Sequence, residues 1–223
     1  MMVQNIRVLA LLLLLGPVAA HAAWPEIGFP QGAQVEAIGD QVRLNGIPMR
    51  MHRVVSKQNS HDVIDFYRSV LGDRRAERRI SDSLILSQER GDYFITVKVR
   101  ALSATVTEVL VSASDMVEAK RAANRPLGFG LPADSAVLSD MESVDAGKRS
   151  RQLVINNSHT VDSNVAALTQ ELAARGLQPD GAPGRHTNSE HVQMFKGAQQ
   201  EARLTVVRRA DTSHIVLTTI LNP

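Results

Sequence analysis

A strand that leads directly into an amphipathic helix occurs twice in this chain, and this repeated unit constrains the fold more than any other feature. In the first unit, residues 49–56 alternate apolar and polar side chains, and Ser60 is a good N-cap for the following helix. The apolar side chains of that helix have the spacing of one buried face: Val63, Phe66, Tyr67, Val70 and Leu71. Gly72 is expected to end the helix, because glycine readily adopts the left-handed conformation found there.

The segments around this first unit predict antiparallel strands. Residues 35–44 and 47–56 flank Asn45-Gly46, the dipeptide that most favours a two-residue hairpin turn. Pro48 has no backbone N–H and therefore indicates that residues 47–56 form an edge strand. Three further alternating runs with short connections predict an antiparallel meander: residues 83–90, 93–100 and 104–113.

The second half of the chain shows the same order of elements. Residues 129–132 resemble residues 27–30, a strand is predicted over 152–156, and Asp162 is expected to cap a helix that Gly176 closes. Three strand-like runs then match the first meander in order and type: residues 191–196, 202–208 and 214–221. We therefore expect an α+β fold of two tandem hairpin–helix–antiparallel-meander lobes, produced by internal duplication, with helices on one face of each sheet. The alternative is the loose similarity that the halves of any α+β chain show.

The N-terminus has the pattern of a secretory signal peptide. The apolar run of residues 8–15 is shorter than the ~20 residues that a membrane-spanning helix needs. Arg7 precedes it, and the small residues Ala20 and Ala22 indicate cleavage after Ala22. A retained N-terminal anchor is the alternative. No later stretch approaches transmembrane length, so we expect no integral membrane segment once the signal is removed.

These patterns divide the chain into four parts. We expect a signal peptide (residues 1–22), an N-terminal lobe (23–113), a linker (114–132) and a C-terminal lobe (133–223). Within the linker, Asp115 is expected to cap a short helix that runs through residue 123.

The composition limits both the compartment and the partners. The chain has no cysteine, which excludes disulfides, thiolate metal sites and a cysteine nucleophile. An exported domain without disulfides favours a bacterial periplasm, with release from the cell as the other destination. A net charge of +2 and 4% aromatic residues give no basis for nucleic-acid binding, which uses basic surfaces and stacking platforms.

No motif in the chain specifies a reaction. Neither a GxSxG elbow nor an SxxK pair is present, so no catalytic residue and no cofactor are predicted. His186, Glu190 and His191 are metal-ligand types, but their spacing fits no zinc motif and would separate the two imidazoles on a helix. We expect a solvated loop there and no metal site.

The densest charge cluster is the only binding-site candidate that the sequence offers. It lies in residues 73–79, which we expect to form a charged connection, and consists of Arg74, Arg75, Arg78 and Arg79. Guanidinium groups bind carboxylates and phosphates by paired hydrogen bonds, so an anionic partner is one interpretation. The other is a solvated loop that Asp73, Glu77 and Asp82 partly neutralise.

The function that we expect from these observations is non-enzymatic. The leading hypothesis is a periplasmic interaction protein, an accessory of a secretion, pilus or other envelope assembly, which binds an envelope protein. The edge strand predicted over residues 47–56 would accept a strand of that partner. The second hypothesis is a small-ligand or anion-binding protein with its site between the two lobes. The third is a hydrolase that uses scattered histidine and aspartate side chains.

Overall fold

The computed structural model describes residues 23–223, so the predicted signal peptide lies outside the described residues. Antiparallel strands and helices form an α+β fold, as the sequence predicts. The helices are α1 (Ser60–Leu71), α2 (Met116–Ala122) and α3 (Val161–Ala174). The strands are β1 (Gln34–Ala37), β2 (Gln41–Leu44), β3 (Ile47–Ser56), β4 (Ala76–Ile80), β5 (Ser83–Arg90), β6 (Tyr93–Ala101), β7 (Thr107–Asp115), β8 (Ala136–Asp145), β9 (Lys148–Asn157), β10 (Gln178–Pro179), β11 (Arg185–His186), β12 (Glu190–Lys196), β13 (Gln200–Arg209) and β14 (Thr212–Leu221).

All 14 strands of residues 23–223 belong to one antiparallel sheet. From edge to edge its order is β10-β12-β13-β14-β9-β8-β2-β3-β7-β6-β5-β4, while β1 pairs with β3 and β11 pairs with β12. The N-terminal half (residues 23–113) meets the C-terminal half (133–223) where β2 pairs with β8. A surface that crosses this junction therefore draws side chains from both halves.

The β2–β3 hairpin forms as predicted, but β3 is not an edge strand. Asn45 and Gly46 have φ angles of 52° and 79°, as a two-residue hairpin turn of this type requires. β3 pairs with β1 and β2 on one side and with β7 on the other. In an antiparallel hairpin, hydrogen-bonded and non-hydrogen-bonded pairs alternate. Leu44 and Ile47 form the hydrogen-bonded pair beside the turn, so Arg43 and Pro48 form a non-hydrogen-bonded pair. The proline nitrogen therefore points away from β2, and Pro48 is tolerated. The β7 ladder begins only at Met49, and no hydrogen bond is lost there.

Helix α1 begins one residue away from the predicted cap. The N-cap is Asn59 rather than Ser60, because the Asn59 side chain accepts a hydrogen bond from the Asp62 N–H at 3.0 Å. Gly72 ends the helix with a φ of 73°, as predicted. Val63, Tyr67 and Leu71 are buried in a core with side chains of β3, β5, β6 and β7.

Helix α3 also begins at an unpredicted cap. The Thr160 hydroxyl accepts from the Ser163 N–H at 3.2 Å, whereas Asp162, the predicted cap, lies in the first turn. Val161, Leu168 and Leu172 pack in a second core with side chains of β9, β12, β13 and β14. In the linker, Asp115 caps α2 as predicted. No helix within residues 23–223 has the length and apolar character that crossing a membrane requires.

The segment predicted as a charged connection contains a strand. β4 occupies the outer edge of the sheet and pairs with β5, from Ala76 opposite Ser87 to Ile80 opposite Ser83. All five of its residues are exposed. Charged residues are uncommon in strand interiors, but they are frequent on edge strands, where they oppose pairing between molecules.

Candidate ligand-binding site

The four arginines of the predicted cluster do not converge on one binding site. Arg75 donates to Glu77 Oε1 at 2.9 Å and to the Gly72 carbonyl at 2.7 Å. Arg68 binds the same carboxylate through two hydrogen bonds of 2.8 and 3.0 Å. Hydrogen bonds from Arg68, and then from Arg75, lower the pKa of Glu77 to about 2. Arg75 therefore braces the α1–β4 connection.

The other three arginines of the cluster remain available at the sheet edge. Arg74, Arg78 and Arg79 are exposed, and in the described part of the chain none of them forms an ion pair. Arg78 and Arg79 are neighbours on β4, so their side chains point to opposite faces of the sheet. These two arginines therefore cannot grip one small anion, although both border the unpaired edge of β4.

The histidine pair that the sequence assigned to a solvated loop does converge. His186 and His191 lie opposite each other in the β11–β12 ladder, and their Nδ1 atoms are 3.0 Å apart. His191 is only 3% exposed, so the solvated-loop prediction is wrong for this residue. A spacing of five residues places two side chains on different faces of a helix. Across this hairpin the same spacing places them directly opposite each other. Residues 23–223 contain no group of three side chains arranged to hold a metal ion.

A cavity of about 410 Å³ lies at the junction of the two halves, and we call it the central cavity. Strand register builds its floor from two rows of side chains that cross β2, β8, β9 and β14. Residues directly opposite each other in antiparallel strands share a face, so each row lies on one face. In that strand order, the first row is Gln41, Val144, Arg149 and Leu221, and the second row is Arg43, Glu142, Arg151 and Thr219.

Two of the arginines in this cavity are held by carboxylates. Arg151 binds Asp140 through two hydrogen bonds, both 2.8 Å long. The hydrogen bond to Asp140 raises the pKa of Arg151 above its ordinary value, although burial acts in the other direction. Arg125, from the linker, binds Glu142 through hydrogen bonds of 2.9 and 3.1 Å. Both carboxylates are therefore already engaged.

The remaining two arginines of the central cavity have no carboxylate partner within residues 23–223. Arg43 donates to the backbone carbonyl of Gly46 at 3.0 Å, and Arg149 is exposed and forms no ion pair there. Four arginines line the cavity, and two carboxylates, Asp140 and Glu142, pair with two of them, so two positive charges remain unbalanced. Such an excess of positive charge favours an anion, because guanidinium groups bind oxyanions through paired hydrogen bonds.

Two other cavities have a weaker chemical signature. One, of about 390 Å³, lies beside Trp24 and His52, and the Arg50 guanidinium sits 5.2 Å from the centre of the Trp24 ring. The other, also about 390 Å³, contains Glu108, which accepts hydrogen bonds from Arg53 at 2.8 Å and from Arg100 at 2.5 Å. The Glu108 carboxylate therefore satisfies both arginines, and the central cavity remains the better anion site.

Fold and cavity together define the class: an α+β protein with one continuous antiparallel sheet and a basic cavity where its two halves meet. Comparison with known protein families, curated proteins and solved structures gives no match. Sequence reasoning missed Arg43 and Arg149 because they lie in different halves of the chain. Only the pairing of β2 with β8 brings them to one cavity.

Proposed function

We propose that this protein binds a small anion in the central cavity, between its two halves. The observation that carries this proposal is that two of the four arginines lining the cavity, Arg43 and Arg149, have no carboxylate partner within residues 23–223. We expect the protein to act in the bacterial periplasm, because residues 1–22 have the pattern of an export signal. The proposal assigns no catalysis, since the cavity supplies charge and shape rather than a nucleophile with a base.

The two unpaired arginines come from opposite sides of the junction. Arg43 is on β2 and Arg149 is on β9, with β8 between them and an offset of two residues along the strands, so their backbones are roughly 12 Å apart at ordinary strand geometry. Arginine side chains are long enough to converge on one ligand from this separation. A bound anion would then contact both halves and stabilise the folded protein, because a ligand that binds only the native state raises its stability.

Calorimetric titration with sulfate, inorganic phosphate and citrate tests the proposal. We expect binding, and we expect Arg43→Ala and Arg149→Ala each to weaken it about tenfold or more, the usual effect of losing a hydrogen bond to a charged group. Glu142→Gln removes the negative charge and should strengthen binding, roughly threefold for a charge ~6 Å away in a water-like medium.

Arg203→Ala is the matched control for these variants. Arg203 is exposed on β13 between the buried residues Ala202 and Leu204, so it points away from the cavity face. Its loss should leave anion binding unchanged. The proposal fails if none of the three anions binds, or if Arg203→Ala weakens binding as much as Arg149→Ala does.

A second candidate function is that of a periplasmic interaction protein, an accessory of a secretion, pilus or other envelope assembly. The observation that favours it is β4, an exposed edge strand that carries Arg78 and Arg79. An edge strand presents unpaired backbone groups, and an acidic extended segment of an envelope protein would satisfy both its hydrogen bonds and its charge.

Charge reversal tests this second candidate. The triple variant Arg74→Glu, Arg78→Glu and Arg79→Glu leaves the Arg75–Glu77 bracing intact, so its melting temperature should stay the same. In-cell crosslinking followed by mass spectrometry should show that a stoichiometric envelope partner of the wild-type chain is lost from the triple variant. Arg203→Glu should retain that partner. If the triple variant captures as much of the envelope partner as the wild-type protein does, the basic edge of β4 is not the interface.

We also propose that the two halves descend from an internal duplication, with helices α1 and α3 on one face of the sheet. β3 and β9 begin at Ile47 and Lys148, and α1 and α3 begin at Ser60 and Val161, so each pair is separated by 101 residues. Each half has a hairpin, a helix and then four antiparallel strands, which are β4–β7 in the first half and β10 with β12–β14 in the second, where the short strand β11 is an addition. A bulge in β8, where the N-terminal half is instead split into β1 and β2, accommodates a difference in length.

A further inference from the structure

We propose that the anion bound in the central cavity is amphipathic, with an oxyanion head and a short aliphatic body. This inference rests on the proposed anion-binding function and narrows its ligand class. It comes from the side chains that surround the unpaired guanidinium group of Arg149.

Apolar side chains flank Arg149 on both sides of its row. Val144 lies directly opposite Arg149 on β8, and Leu221 lies directly opposite it on β14. Leu221 is 44% exposed although it is a large apolar residue. The second row, with Arg43, Glu142 and Arg151, lies beside this first row. The cavity floor is therefore charged along the second row, while along the first row two apolar side chains flank one guanidinium group.

A bare inorganic anion would contact only the guanidinium groups of this floor. It would leave the side chains of Val144 and Leu221 in contact with water, and the cavity volume of about 410 Å³ exceeds what such a small ion fills. A ligand with an alkyl body would cover these two side chains while its head binds Arg43 and Arg149. Burying apolar surface in this way contributes favourable free energy in proportion to the area removed from water.

Carboxylate and phosphate heads present the same chemistry to guanidinium groups, so both are included in the proposed class. The probes are therefore a carboxylate series, from acetate through butanoate to hexanoate, and a pair consisting of inorganic phosphate and hexyl phosphate. Hexanol provides the aliphatic body without the charged head. Binding is measured by NMR titration, which detects millimolar affinities.

We expect affinity to rise with chain length by about fourfold for each methylene group that the cavity buries. Hexyl phosphate should bind more tightly than inorganic phosphate for the same reason. A direct comparison of hexyl phosphate with hexanoate, whose alkyl bodies are similar, distinguishes the two kinds of head. Hexanol should bind far more weakly than hexanoate.

Two variants test separately how the head and the body of the ligand contribute to binding. Arg149→Ala should weaken acetate and hexanoate by the same factor. Leu221→Ser should flatten the dependence on chain length, so hexanoate should lose more affinity than acetate does. Leu138→Ser is the matched control, because Leu138 is 53% exposed and lies outside the cavity. Leu221 is exposed, so its replacement should not prevent folding.

The outcomes distinguish this inference from the function on which it rests. If the anions bind through Arg149 with no dependence on chain length, the anion site stands and the amphipathic ligand is rejected. If hexanol binds as tightly as hexanoate, the amphipathic ligand is likewise rejected, because the head contributes nothing. If no anion binds at all, both proposals fail.

Discussion

His191 is a buried histidine whose titration should make the protein less stable in acid. Burial lowers the pKa of His191 below 6.5, and the neighbouring His186 lowers it further, while Asp162 on α3 acts in the opposite direction. Its Nε2 atom is buried and has no hydrogen-bond partner in the described residues, so a proton there would gain no acceptor. The Nδ1 contact with His186 also requires one of the two nitrogens to accept, which two protonated rings cannot do.

The sign of the pH effect follows from these contacts. The unfolded chain takes up a proton at His191 near pH 6.5, whereas the folded protein does so only at lower pH. The stability contributed by neutral His191 is therefore present above pH 6.5 and lost as the pH falls below it. One such group changes the free energy of unfolding by at most about 1.4 kcal/mol per pH unit.

Urea unfolding between pH 8 and pH 5 measures this effect. We expect the pH dependence of His191→Phe to be shallower than that of the wild-type protein. Some dependence should remain, because burial also lowers the pKa of His52. Met194→Leu, which changes an exposed side chain on the same strand as His191 and no titrating group, should keep the wild-type slope. Equal slopes in the wild-type protein and in His191→Phe would show that His191 does not titrate differently on folding.

The arginines show how much of a binding site can be recognised from the sequence alone. A dense run such as residues 73–79 is visible in the sequence, but its Arg75 is bound by Glu77 and the cluster does not converge. Arg43 and Arg149 are isolated in the sequence and meet only through the β2–β8–β9 register. Sequence reasoning finds charges that are close along the chain, whereas a cavity is built from charges that are close in space.

At the scale of elements, the side-chain periodicity correctly predicted the helices and strands that have one buried face. The stripe of α1 and the first two runs of the N-terminal meander are confirmed, because alternation and helical spacing reflect burial within one element. The third strand lies at Thr107–Asp115 rather than over residues 104–113. The N-caps of α1 and α3 were misplaced, since Asn59 and Thr160 compete with equally suitable polar neighbours. β4 was missed because an exposed edge strand has no buried face and therefore no apolar alternation.

Helix α3 also contains a buried amide pair that its apolar stripe does not reveal. Asn157 on β9 and Asn164 on α3 exchange side-chain hydrogen bonds of 2.7 and 3.0 Å, and Asn164 is fully buried. Asn164→Val should therefore destabilise the protein by about 1–3 kcal/mol, because it leaves the Asn157 amide without this partner. Chemical denaturation measures the loss.

Gln170→Ala is the control for that substitution. Gln170 is exposed on the same helix, so the alanine should change the stability by only a few tenths of a kcal/mol, roughly the difference in helix propensity. An equal effect of Asn164→Val and Gln170→Ala would show that the amide pair contributes nothing beyond helix propensity.

At the scale of the whole molecule, the sequence left open whether the halves form one sheet or two. The answer lies in the pairing of β2 with β8, which joins strands that are far apart along the chain. Neither strand carries a local signal for that partner: Gln41, Arg43, Glu142 and Ser143 are polar residues typical of exposed strands. Each half has its own buried core, so the halves share a sheet but no common core.

We therefore expect the two halves to unfold in one cooperative transition. Trp24 is the only tryptophan, and its ring centre lies 5.0 Å from that of Tyr93, so its fluorescence reports the N-terminal half. Far-ultraviolet circular dichroism reports both halves. In urea the two signals should share one midpoint, which is the ordinary test of two-state unfolding. Separate midpoints in the wild-type protein would mean that each core holds its half independently.

The junction itself is tested by Met141→Pro. Met141 lies on β8 between Leu44 of β2 and Gln152 of β9, so its N–H faces a neighbouring strand on whichever side it points. Proline removes that donor and is excluded from central strands. We expect the fluorescence and dichroism midpoints to separate in this variant and to coincide in Met141→Leu. If they still coincide in Met141→Pro, the halves are coupled through the linker and the cavity ion pair of Arg125 with Glu142 rather than through the sheet.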